Sequence, residues 1–137
     1  MVFGKKRSGF TLLELIIVIV VIGVLASIAL PRYIRIAEKG RAAEAKNILS
    51  AIRGAQIRYA AQYASYTSAV ANLDLNLPAA KYFTCIALAG STNLADETAA
   101  LGRCTRQTLD NPNMGSYILN ISMGGNISGD AVGLTVL

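Results

Sequence analysis

Between Gly9 and Pro31 the chain runs FTLLELIIVIVVIGVLASIAL, apolar along its length apart from one carboxylate, Glu14. As an α-helix, the 21 residues from Phe10 to Leu30 would span about 30 Å, the thickness of a bilayer's hydrocarbon core. A helix this apolar belongs in lipid or in the dry centre of an assembly. Glu14 lies near the start of that helix. An unpaired acid in a membrane helix costs about 2.5 to 3.5 kcal/mol by insertion scales, so it is expected to be paired or functional.

The remaining length limits what else the chain can build. Of 137 residues, those up to Pro31 go to the leader and the apolar run, so any soluble core is small and needs a staple or a partner. The net charge of +5 does not mark a nucleic-acid binder. Three of the thirteen basic residues, Lys5, Lys6 and Arg7, precede the apolar run, and without them ten bases face eight acids. Arg32, Arg35, Lys39 and Arg41 follow the run, so charge asymmetry alone does not orient the helix. A removable secretory signal is one reading, with Ser27-Ile28-Ala29 as a small-x-small cleavage site. A glutamate in the apolar region, and a region longer than the usual 7 to 15 residues, argue against it.

The stretch KRSGFTLLELIIVIVVIGVLASIALPRY resembles the class III signal segment of type IV pilins and the related pseudopilins. Gly9, Phe10, Thr11, Glu14, Gly23 and Pro31 carry the match, which covers the first 30 or so residues. The resemblance implies that a prepilin peptidase cuts between Gly9 and Phe10 and methylates the new N-terminus at Phe10. It implies that the subunit leaves the bilayer for a filament with Glu14 paired to a neighbour's freed amine; a pair between Glu14 and its own N-terminus is the alternative. Gly23 and Pro31 are weak points of the helix. Proline removes a hydrogen bond to the carbonyl four residues back, here that of Ser27, and glycine costs about 1 kcal/mol relative to alanine. A kink in the subunit, and unwinding in an assembly, are expected there.

Past Pro31 the pattern becomes amphipathic. Ala45, Ile48, Leu49, Ile52, Ala55, Tyr59 and Tyr63 recur at steps of three and four, with Lys46, Arg53, Gln56 and Arg58 on other faces. One helix from about Phe10 to Tyr63 is expected, and Glu38 with Arg41 reads as a solvent-exposed pair at its junction. Residues 64–80 read as a connector pinned by Leu73, Leu75 and Leu77 and ended by Pro78, similar to the αβ-loop of pilins. Strands are expected over Tyr82 to Ala89, Gly102 to Leu109, Tyr117 to Met123 and around Val132, Leu134 and Val136. Turns are expected at Asp110-Asn111-Pro112-Asn113 and Gly124-Gly125-Asn126. The fold class is therefore α+β and pilin-like: a long N-terminal helix packed on a small antiparallel sheet of three to four strands. The expected parts are a leader over 1–9, a transmembrane and assembly half-helix over 10–31 and a soluble domain over 32–137. That domain comprises helix 32–63, loop 64–80 and sheet 81–137.

Cys85 and Cys104 have no Cys-x-x-Cys spacing, and the chain has no histidine to share a metal. Behind an export signal, a Cys85–Cys104 disulfide is expected over two buried thiols. No acid-base or nucleophile constellation can be assembled, so neither enzyme activity, a cofactor nor a metal is expected. Asp96-Glu97 reads as a solvated pair and Asp130 as a turn residue. Tyr59, Tyr63 and Tyr66 with Arg53 and Arg58 read as core spacing rather than a DNA-binding face. Asn120-Ile121-Ser122 and Asn126-Ile127-Ser128 are weak glycosylation sequons.

The resemblance therefore implies a bacterial type IV pilus subunit. It begins as a single-pass inner-membrane precursor and polymerises through its N-terminal helix into an extracellular filament serving adhesion, motility or DNA uptake. The implied partners are further copies, other pilins, the prepilin peptidase, an inner-membrane assembly platform and the membrane itself; nucleic acid is not among them. The alternative is a type II secretion pseudopilin in a periplasmic pseudopilus that drives protein export. A filament-tip binding subunit and a membrane protein that never assembles are further readings.

Overall fold

The computed structural model describes residues 9–77, 80–91, 93–108 and 115–130. The chain divides into two compact units, Met1–Ile36 and Ala37–Leu137. Its elements run in the order α1 (Leu12–Tyr63), a 3-10 turn (Val70–Asn72), β1 (Phe83–Ala87), β2 (Ala100–Arg106), β3 (Ile118–Ser122) and β4 (Ile127–Gly129). The strands form one antiparallel sheet in the order β1-β2-β3-β4. This is the α+β architecture expected, with α1 ending at Tyr63 as its pattern implies.

Within the second unit, one stripe of α1 closes over one face of the sheet. Ala42, Ala45, Ile48, Leu49, Ile52 and Ala55 pack with Phe83, Ala87, Cys104, Tyr117, Leu119 and Ile121. Their spacing by three and four places them on a single helix face. On β3, buried Leu119 and Ile121 alternate with half-buried neighbours, the period of a strand with one face on the core. Gly102 lets the layers meet: a Cβ there would lie 3.0 Å from Ile52 Cγ2 and 3.3 Å from Leu49 Cδ2. The register of β2 against β3 shifts between Ala100 and Gly102. The loop after the helix lies on the same core through buried Leu73 and half-buried Leu75 and Leu77. Cys85 and Cys104 stand directly opposite each other on β1 and β2 and are joined by a disulfide.

Several side chains depart from the pattern read in the sequence. Glu38 is not a solvent-exposed partner of Arg41 but is 1 % exposed. Its carboxylate accepts from Arg106 Nε at 2.6 Å and Nη2 at 3.2 Å, from the Tyr117 hydroxyl at 2.9 Å and from Arg41 Nη1 at 3.1 Å. Burial opposes the charge on Glu38. Hydrogen bonds from Arg106 and Tyr117 and the guanidinium charge outweigh burial and hold its carboxyl below the usual range. Burial first, and then the neighbouring carboxylate, push the Tyr117 hydroxyl well above its ordinary value. Gln56, placed among the solvent-facing residues by the pattern, is fully buried. Its amide donates to the carbonyls of Thr67 and Leu88 at 2.6 and 2.9 Å and accepts from the Thr67 N–H at 3.1 Å. Polar identity alone cannot show that a side chain ties a loop to the helix from inside.

At the end of the helix stripe, Tyr63 is 62 % exposed and stacks on half-buried Tyr59 with ring centroids 4.5 Å apart. Tyr66 is buried in a separate small cluster with Ala60 and Leu101. The two arginines read beside these tyrosines are held elsewhere. Arg58 pairs with Asp74 through bonds of 2.7 and 2.8 Å, and Arg53 donates to the Met123 carbonyl at 2.6 Å. Strand β2 begins at Ala100, two residues before the Gly102 expected, and ends at Arg106. The Gly124-Gly125-Asn126 turn closes as expected, with the Ser122 N–H donating to the Asn126 carbonyl at 2.9 Å. Gly125 adopts φ +88°, in the left-handed region. The strand after it starts at once, at Ile127, where the sequence offered only a sequon. Asp130 acts beyond a turn: its Oδ2 accepts from the Ile118 N–H at 3.0 Å across the β3–β4 pair. Asp96 accepts from the Thr98 N–H and hydroxyl at 3.0 and 2.6 Å and so organises its own turn. The leader through Ser8, Pro78, the turn at Asp110 to Asn113 and the strand through Val132, Leu134 and Val136 lie outside the described residues.

Candidate processing and assembly site

The candidate site is the N-terminal part of α1 with the residues that open it. Gly9 and Phe10 precede the helix and are exposed, Phe10 at 86 %. Exposed backbone outside a helix on both sides of a peptide bond is accessible to a processing enzyme. Every residue from Gly9 to Ile36 is exposed, so among the described residues nothing covers the apolar run within it. The helix is long and apolar enough to cross a membrane.

Thr11 and Glu14 start the helix as a reciprocal pair. Glu14 N–H donates to Thr11 Oγ1 at 3.2 Å, and Thr11 N–H and its hydroxyl both donate to Glu14 Oε2 at 2.9 Å. This is a capping box, in which a threonine before the first turn and a glutamate three residues on satisfy each other's backbone donors. The sequence carries the signal as Thr-Leu-Leu-Glu, a threonine three residues before a glutamate at the start of an apolar run. The carboxylate is thus hydrogen-bonded locally, while its charge is not matched by any cation in the first turn. With Gly9 attached, the Phe10 nitrogen is an amide and carries no charge to offer it.

Gly23 and Pro31 lie within α1, which continues through both. A Cβ on Gly23 would meet nothing within 4 Å, so no contact among the described residues requires a glycine there. Pro31 leaves the Ser27 carbonyl without its usual donor, and the Ser27 hydroxyl donates to the Val24 carbonyl at 2.7 Å. Among the described residues no cluster of histidine, cysteine, aspartate or glutamate is arranged to hold a metal. Cys85 and Cys104 belong to the sheet and are not part of this site.

The prokaryotic N-terminal methylation motif matches residues 4–30, the segment described above with its leader. The type IV major pilin protein PilA of Myxococcus xanthus is 44 % identical over 54 residues, 39 % of this chain and 24 % of that protein. The type IV narrow pilus major component PilA5 of Thermus thermophilus is 42 % identical over 50 residues, 36 % of this chain and 43 % of its own. The type II secretion system core protein G of Pseudomonas aeruginosa is 30 % identical over 70 residues, 51 % of this chain and 49 % of its own. The match thus spans between a quarter and a half of these relatives, and none of their names is that of an enzyme. No solved structure gives a significant match. The chain carries a class III prepilin signal and is homologous to type IV pilins and to the type II secretion pseudopilin G.

Proposed function

We propose that this chain is a structural subunit of a type IV pilus. A prepilin peptidase cleaves it between Gly9 and Phe10 and methylates Phe10, and an inner-membrane assembly platform then adds it to a filament through its N-terminal helix. One observation carries the reading: an apolar run from Phe10 to Leu30 that no described residue covers, with a single carboxylate near its start. Lipid covers that surface in the precursor and neighbouring helices cover it in the filament. The Thr11 hydrogen bonds satisfy part of the Glu14 carboxylate but leave its charge. The amine freed on Phe10 of a neighbouring copy supplies the opposite charge in a dry bundle, where it counts most. Gly23 and Pro31 are where the helix bends or unwinds as copies pack. Sheared cell-surface fractions are expected to contain this chain, beginning at N-methylated Phe10 by mass spectrometry. Their absence from a strain that expresses the chain would refute the pilus reading.

A second reading is favoured by the match to the secretion protein G, which extends over 70 residues. In it the chain builds a periplasmic pseudopilus that drives protein export. Deletion then abolishes enzyme secretion while surface filaments remain unchanged.

A further inference from the structure

We propose that Arg32, Tyr33 and Arg35 form a collar that binds the phosphodiester headgroups of anionic phospholipids on the non-cytoplasmic side of the membrane. The inference rests on the reading of the N-terminal part of α1 as a bilayer-spanning segment. From Leu12, the first residue of α1, Arg32 and Arg35 lie about 30 and 35 Å along the helix axis at 1.5 Å per residue. The hydrocarbon core is about 30 Å thick and the bilayer with its headgroups about 40 to 45 Å. With the helix start at one hydrocarbon boundary, both guanidiniums therefore reach the opposite headgroup layer. Their spacing of three residues puts them on one face, a turn apart. Tyr33, 69 % exposed, adds an aromatic ring with a polar tip, a side chain suited to the membrane interface.

The other described arginines make the contrast. Arg41 and Arg106 are held by Glu38, Arg58 by Asp74, Arg53 by the Met123 carbonyl and Arg103 by Asn120. Arg32 and Arg35 are exposed and have no hydrogen-bond or ion-pair partner among the described residues. A guanidinium's planar fork matches phosphate oxygens two at a time, and its apolar stem can lie along the helix surface while the head stays at the interface. Leader removal takes away Lys5, Lys6 and Arg7. These two arginines are then the side-chain cations nearest the span, and they, rather than the leader, fix the depth of the mature helix.

The test is lipid retention by native mass spectrometry of the leader-processed chain in bilayer discs of equal phosphatidylglycerol and phosphatidylcholine, at rising salt. The wild type is expected to retain phosphatidylglycerol about tenfold over phosphatidylcholine, a preference that salt erodes. Arg32→Gln with Arg35→Gln is expected to lose the preference, and Arg58→Gln to keep it. An inserted wild type with no lipid preference overturns the collar and leaves the spanning helix standing. A chain that fails to insert into these discs overturns both. Preference undiminished in the double variant also overturns the collar, and if that variant is then missing from filaments the occupant is an acidic surface on a second copy.

Discussion

Replacing Glu38 by alanine would leave the Arg106 guanidinium, 2 % exposed, buried without its carboxylate. Breaking one side of a buried ion pair costs about 3 to 5 kcal/mol, and the Tyr117 hydroxyl loses its acceptor with it. Glu38→Ala is therefore expected to lower the unfolding free energy of the detergent-solubilised chain, read from denaturant titration, by that amount. The same residue sets an acid dependence. Its folded-state carboxyl lies below the ordinary range, so the stability it contributes is complete above the unfolded carboxyl value of about 4.3 and is lost as pH falls through the folded one. Wild-type thermal stability is expected to fall on acidification below about pH 4, and to fall less steeply in Glu38→Gln. None of this was legible in the sequence. Glu38 and Arg41 at i and i+3 look like a surface pair, and only the fold brings Arg106 and Tyr117, 68 and 79 residues away, onto the same carboxylate.

The elements themselves were readable where period and length agreed. The three-and-four spacing from Ala45 to Ala55 and the alternation through Leu119 and Ile121 each describe a surface with one buried side, and both faces are buried as expected. Legibility failed where a strand was short or began in polar company. The three residues of β4 are too few to show a period, and β2 takes its first residues from an alanine-rich stretch that has no strand signature. The Cys85–Cys104 bridge ties neighbouring strands across a sequence separation of 19. In the chain-entropy model, closing a loop of that size stabilises by roughly 3 kcal/mol. Cys85→Ser with Cys104→Ser is expected to lose about that much in denaturant unfolding. Gly102→Val is expected to cost about 1 to 3 kcal/mol by forcing the helix off the sheet, since Ile52 and Leu49 already fill the space its side chain needs. An unchanged midpoint in that variant would show the layers can separate freely.

For the whole molecule, the motif that the processing and assembly proposal rests on was readable in the sequence, because it lies in one short stretch rather than being assembled by folding. Gly9, Phe10, Glu14, Gly23 and Pro31 fall within 23 positions, and their chemistry follows from one helix in an apolar setting. The engagement of Glu14 by Thr11 is equally local, a capping box spaced by three residues. Among the described residues nothing covers the apolar run from Phe10 to Leu30, and in the proposed assembly Glu14 is where a neighbouring copy supplies a cation. The most direct measurement is to express Glu14→Val beside the wild-type chain and follow both through processing into sheared filaments by mass spectrometry. The variant is expected to be cut at Gly9 and held in the membrane, yet to be missing from the filaments; its incorporation at wild-type proportion would contradict charge pairing as the step that admits a subunit.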